Sequence, residues 1–161
     1  MSELVPLRSE CSWNGGGTFE HVANSRVRYR TDALLPGEES RPLNGPTPME
    51  LMLGAVCGCT GADVVSIIRK MSLELKHLSI TAEGERTVEH PRIFQRVMLT
   101  YRIETEPVSC AKVFRAVELS AHKYCGVAAT LASVGEVRFH AYSGGEESEG
   151  VIPGVANPPE A

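Results

Sequence analysis

Thr47-Pro48-Met49-Glu50-Leu51-Met52-Leu53-Gly54-Ala55-Val56-Cys57-Gly58-Cys59-Thr60-Gly61-Ala62-Asp63 opens a long apolar run. Its first residues predict a helix start: Thr47 can cap, Pro48 suits the first helical position, and Glu50 completes a capping box. The helix is expected to run to about Met71. From Leu51 to Ile68 the side chains are apolar or small nearly all round, with Thr60, Asp63 and Ser66 as the polar exceptions. A helix that is apolar on every side is buried on every side. This one is therefore expected at the centre of the fold, packed by a sheet or by a partner subunit.

Outward from that helix the chain reads as strands. Residues 4–31 hold short alternating runs around the Asn14-Gly15-Gly16-Gly17 turn, which predicts a three-stranded meander. Residues 32–46, rich in Pro, Gly and acids, form a loop. After the helix, residues 73–86 and 94–104 alternate as two strands, paired antiparallel across His90-Pro91-Arg92. Ser109 is the expected cap of a second helix, in which Val113, Phe114, Val117 and Ala121 recur at helical spacing. Tyr124-Cys125-Gly126 breaks or bends it, a short helix follows over 127–132, and residues 134–142 make a last strand. From Ser143 onward Gly, Pro, Glu and Ser dominate, as in a flexible tail. The order β-β-β-α-β-β-α-α-β is α+β, with one domain over residues 1–142 and a tail over 143–161.

The chain has 161 residues, 42% of them hydrophobic and 22% charged, enough for a core of its own. Its net charge of −4 argues against a nucleic-acid partner. By the reading of the sequence no segment reaches the ~18 apolar residues of a membrane span, and the first residues lack a basic and apolar leader. A cytoplasmic setting is expected. Five cysteines, at positions 11, 57, 59, 110 and 125, are odd in number and loosely spaced, unlike a secreted disulfide framework.

Two of the thiols stand out. Cys59 lies mid-helix among small neighbours. Cys125 closes Leu119-Ser120-Ala121-His122-Lys123-Tyr124-Cys125. Cys57 and Cys59 are two residues apart, ~200° of helical rotation, and point to nearly opposite faces. Only one of them can therefore share a site with Cys125, and Cys57 is the better candidate for packing. Asp63, four residues after Cys59, lies on the Cys59 face. His122, three residues before Cys125, has two readings: a neighbour that lowers the thiol pKa, or a helix C-terminal residue favoured by the dipole. Cys59, Asp63, His122 and Cys125 together would supply four metal ligands, but no zinc-type spacing supports that set.

Three patterns in order carry a resemblance: Trp13 with Gly15-Gly16-Gly17-Thr18-Phe19, Thr47-Pro48-Met49-Glu50-Leu51-Met52-Leu53 leading to Gly58-Cys59-Thr60, and the segment ending at Cys125. Over roughly residues 8–142 the chain resembles the OsmC/Ohr family of thiol peroxidases. The resemblance implies antiparallel sheets wrapped around two long central helices in an intertwined homodimer, with active sites at the subunit interface. It implies Cys59 as the cysteine that attacks an organic hydroperoxide and Cys125 as the one that resolves the sulfenic acid to a disulfide. An external thiol reductant would restore both, with no cofactor and no metal. The family adds a glutamate and an arginine to activate the thiol. Glu50 comes one place after the family's glutamate and ~180° around the helix from Cys59; its capping role is a sufficient structural reason for it. Arg26, Arg28, Arg30 and Arg41 are the arginine candidates, with Arg41 preferred because it lies in the loop entering the helix. The alternative is a non-catalytic member of the fold that binds a small hydrophobic ligand or senses redox state.

Overall fold

The computed structural model describes residues 5–38 and 40–155. The chain divides into two compact units, Met1–Met52 and Leu53–Ala161. The first unit holds the expected meander: β1 (Ser9–Trp13), β2 (Phe19–Ala23) and β3 (Arg28–Thr31), antiparallel in the order β1-β2-β3. The turn between β1 and β2 uses Gly15 and Gly16 at positive φ, 93° and 54°, where side chains are strained. Trp13 Nε1 donates to the Gly16 carbonyl across it, at 2.8 Å.

The helix α1 (Pro48–Lys70) begins in the first unit and runs on through the second. Its start is the capping box read from sequence. The Thr47 amide and hydroxyl donate to Glu50 Oε2 at 2.6 and 2.9 Å, and the Glu50 amide donates back to Thr47 Oγ1 at 3.3 Å. The expectation of burial on every side needs correction. Val56, Thr60, Val64, Ile67 and Ile68 form one buried stripe, while Gly54, Gly58, Ala62 and Ser66 are exposed along another. Only 28% of the most apolar 18-residue window is buried. A second correction concerns the membrane: by length and composition alone α1 does pass the test for a spanning helix, as core helices of soluble proteins also do.

The second unit adds β4 (Glu74–Arg86), β5 (Phe94–Glu106), α2 (Cys110–Leu119), a single π-helical turn (Ser120–Tyr124), α3 (Gly126–Ala132), β6 (Glu136–Ser143) and β7 (Glu146–Ile152). The sheet order is β4-β5-β6-β7. It is mixed, which corrects the all-antiparallel expectation: β5 and β6 run parallel, Arg96 to Arg102 facing Glu136 to Tyr142. The reason is the connection. Parallel neighbours need a crossover, and α2, the π turn and α3 supply it. A further correction falls at residues 146–152, read as part of a flexible tail. They form β7, paired antiparallel with β6 from Val137↔Ile152 to Ser143↔Glu146. Composition misled because β7 is an edge strand carrying Glu146, Glu147 and Glu149, the kind of charged edge that resists further pairing.

Burial on β5 follows period two: Val97, Leu99, Tyr101 and Ile103 face inward. Val137, Phe139 and Ala141 of β6 do the same, and Val113, Ala116, Val117, Ala128 and Leu131 of the crossover are buried with them. α1 lies against the same sheet. Thr60 reaches Tyr101 on β5, and a Cβ on Gly61 would stand 3.2 Å from Ile80 of β4.

Candidate functional site

The thiols singled out from sequence meet in the second unit. Cys59 Sγ, Cys125 Sγ and a carboxylate oxygen of Asp63 all lie within 4.8 Å of one another. α1 supplies Cys59 and, one turn later on the same face, Asp63, as the i, i+4 rule requires. Cys57 is turned the other way, toward the Ala82 backbone on β4, and burial pushes its thiol pKa up.

Cys125 is delivered by the break in the second helix. After Leu119 the ladder widens into the π turn, closed by the Cys125 amide donating to the Ser120 carbonyl at 2.9 Å. Cys125 itself is extended (φ −75°, ψ 95°) and caps α3; its Sγ accepts from the Ala128 amide at 3.4 Å. The same irregularity removes His122 from the site. Cys125 leaves the helical conformation, so the shared face expected three residues apart is lost. His122 Nε2 donates to the Val151 carbonyl at 3.1 Å, and its ring meets Phe139 edge-on at 6.3 Å.

The two thiols differ in their surroundings. Cys125 is only 3% exposed, whereas Cys59 is half-buried. Burial is the main cause that pushes the Cys125 pKa up to about 12, against the lowering influence of the Ala128 amide. Cys59 as neighbour and the Asp63 carboxylate push it further in the same direction.

Behind the cluster runs a chain of hydroxyls that the sequence reading missed. Tyr101 OH and Thr60 Oγ1 are 2.7 Å apart, Thr60 Oγ1 and Ser120 Oγ 2.8 Å, and Ser120 Oγ donates to Asp63 Oδ2 at 3.1 Å. A carboxylate only accepts, so it orients the whole chain: Tyr101 donates to Thr60, Thr60 to Ser120, Ser120 to Asp63. Burial raises the Tyr101 pKa well above its usual range, which keeps it a donor. The sequence held half the signal, since Thr60 and Asp63 are polar interruptions of an apolar helix. Nothing in the alternation of β5 distinguishes the inward Tyr101 from its apolar neighbours, and Ser120 lies inside the unforeseen π turn.

The other two expected site residues lie in the first unit with partners of their own. Arg41 makes a two-pronged pair with the buried Asp32, Nη1 to Oδ2 at 2.6 Å and Nη2 to Oδ1 at 2.8 Å, and also binds Glu38 at 2.9 Å. Arg41 holds the Asp32 carboxyl well below the usual carboxylate range. Glu50 is occupied by Thr47, whose amide and hydroxyl lower its pKa. The loop arginine thus clamps the loop, and the glutamate caps the helix. For a metal, the Cys59, Asp63 and Cys125 atoms offer three donors; the fourth of the expected set, His122, is bound elsewhere.

Comparison with known proteins gives the arrangement a family. Residues 37–139 match the family model described as OsmC-like protein. The chain is 38% identical to Protein YhfA of Escherichia coli (strain K12) over 127 residues, 78% of this chain and 89% of that protein. Among solved structures it resembles a hypothetical protein from Aquifex aeolicus VF5, with a TM-score of 0.75 and 24% identity over 86% of this chain and 96% of that one. It also shares its fold with an organic hydroperoxide resistance protein OsmC from Legionella pneumophila, with a TM-score of 0.61 and 12% identity over 87% and 98% of the two chains. With the family model spanning both the approach to α1 and the cysteine that ends the π turn, the chain belongs to the OsmC-like protein family.

Proposed function

We propose that this protein reduces organic hydroperoxides with electrons from an external thiol, through Cys59 and Cys125. The observation that carries the reading is the asymmetry of a close thiol pair: both sulfurs lie within 4.8 Å of Asp63 and of each other, but only Cys59 is accessible. Cys59 is the thiol that a substrate can reach. Its thiolate attacks the terminal oxygen of the hydroperoxide; the O–O bond breaks, the alkoxide leaves and takes a proton to become an alcohol, and sulfur is oxidised to sulfenic acid. Cys125, shielded from solvent, resolves that sulfenic acid to a Cys59–Cys125 disulfide with loss of water. The sulfurs must close to ~2.05 Å for this bond. Two equivalents of external thiol then reduce the disulfide by exchange. Structural relatives named organic hydroperoxide resistance proteins support the substrate class.

The working form is a homodimer in a reducing, cytoplasmic compartment, with each site at the subunit interface. The exposed stripe of α1 supports the dimer, because so apolar a helix is only partly covered within one chain. Its exposed Gly54, Gly58 and Ala62 would let a second helix approach closely. Thiol-dependent consumption of cumene hydroperoxide by the wild type, lost in Cys59→Ser, is the expected result. Equal rates in the two proteins would sink the proposal.

One observation favours a second reading, a non-catalytic fold that binds a small hydrophobic ligand or senses redox state. Arg41 and Glu50 already have their hydrogen bonds met in the first unit, so activation of Cys59 by that pair has no support from their contacts. Mass spectrometry after one equivalent of hydroperoxide separates the readings. A Cys59–Cys125 disulfide supports an enzyme or sensor, and two unmodified thiols support ligand binding.

A further inference from the structure

Asp63 places a carboxylate against both sulfurs, where its charge opposes a Cys125 thiolate. A site that needed only acidic thiols gains nothing from it. Asp63 is also oriented with care. Ser120 donates to Oδ2 at the end of the hydroxyl chain from Tyr101 and Thr60, and among the described residues Oδ1 has no hydrogen-bond partner. The groups that face the carboxylate are Cys59 on its own helix, Cys125 at the cap of α3, Ser120 in the π turn and Tyr101 on β5. Asp63 also borders a cavity of about 340 Å³ that Lys70 and Tyr124 line.

Resting on the peroxidase reading above, we propose that Asp63 is the proton acceptor of the resolving step. As the Cys125 sulfur attacks the sulfur of the Cys59 sulfenic acid, its thiol proton passes to the Asp63 carboxylate. The S–S bond forms, the S–O bond of the sulfenic acid breaks, and the departing hydroxide takes the proton back from Asp63 to leave as water. Sulfenic acid plus thiol gives disulfide plus water, and Asp63 ends as it began. Cys125 needs such a partner. Buried and held protonated, it presents almost no thiolate of its own near neutral pH. The bond from Ser120 holds Oδ2 in place and leaves Oδ1 to take the proton.

The test is Asp63→Asn, whose amide oxygen can still accept from Ser120. Reduced protein receives one equivalent of cumene hydroperoxide; dimedone traps the sulfenic acid, and intact mass follows the disulfide. The expected result at pH 7 is accumulation of the Cys59 sulfenic acid with disulfide closure slowed on the order of 100-fold, recovering in alkali as hydroxide replaces the carboxylate. A purely repulsive Asp63 gives the opposite sign, because removing its charge frees the thiolate. Closure in Asp63→Asn as fast as in wild type, or faster, therefore overturns the assignment. If that variant fails to fold, Ser120→Ala serves. Loss of the donor that positions the carboxylate should slow disulfide closure at pH 7 while sulfenic acid forms at the wild-type rate, and unchanged closure overturns the assignment. A wild type that forms neither sulfenic acid nor disulfide refutes the peroxidase reading itself, a result distinct from a normal wild type with an unaffected variant.

Discussion

The chain Tyr101–Thr60–Ser120–Asp63 makes a prediction in which the central position matters more than the end. Thr60 is 1% exposed and Tyr101 fully buried, so neither hydroxyl can turn to water if its partner is removed. Tyr101→Phe takes away the first donor and strands nothing, because Thr60 still donates to Ser120. It should cost about 1 kcal/mol, the net worth of one hydrogen bond. Thr60→Val keeps the shape but removes the node. Two bonds are lost and the Tyr101 hydroxyl is left buried without an acceptor, for a cost of about 3 kcal/mol. Combining the two changes removes the stranded hydroxyl, so the double variant should lose only about 2 kcal/mol, well short of additive. Urea unfolding of the reduced protein, at one fixed concentration because self-association would contribute, measures all three against wild type. If Thr60→Val costs no more than Tyr101→Phe, or if the two losses add, the directed chain is wrong.

Two more outcomes follow from the clamp and from the exposed helix stripe. The Asp32 pKa is lowered by Arg41, so the folded state resists protonation there. The stabilisation is present above the usual carboxylate value of 3.8 and is lost as pH falls below it. Asp32→Asn should therefore be less stable than wild type at pH 7, with the gap narrowing in acid titrations below pH 4; a gap that stays constant would refute the ion pair as its cause. Gly58→Leu meets nothing within 4 Å of an added Cβ in the single chain and gains helix propensity of about 0.5–1 kcal/mol, so the fold should survive. In a dimer built on this stripe the side chain would hold the helices apart, and sedimentation should show dimer dissociation strengthened at least tenfold. An unchanged dimer, or a monomeric wild type, would count against α1 as the interface.

Two of the differences between reading and structure share a cause. Residues 146–152 looked like a tail because an edge strand beside water carries glutamates for the same reason a tail does. Of the two readings of His122, the one that makes it a partner of Cys125 needs the helix to persist between them, and the π turn removes that condition. Arg41 looked available to the helix it precedes, yet the buried Asp32 in its own unit claims it. In the first and third cases a partner on an adjoining segment, β6 for β7 and Asp32 for Arg41, outweighs the local pattern.

The sequence by itself determined the start of α1, the opposite facing of Cys57 and Cys59, the alignment of Cys59 with Asp63 and the α+β order. These depend on helical rotation, strand alternation and capping chemistry, which act over a few residues and are written in consecutive letters. Only the tertiary structure decided that β5 and β6 run parallel, that the crossover widens into a π turn before its break at Cys125, and that this break sets the second thiol beside the first. It alone joined Tyr101, Thr60 and Ser120 into one chain ending on Asp63. Those relations are fixed by which faces pack together, and packing answers to the whole set of buried side chains at once.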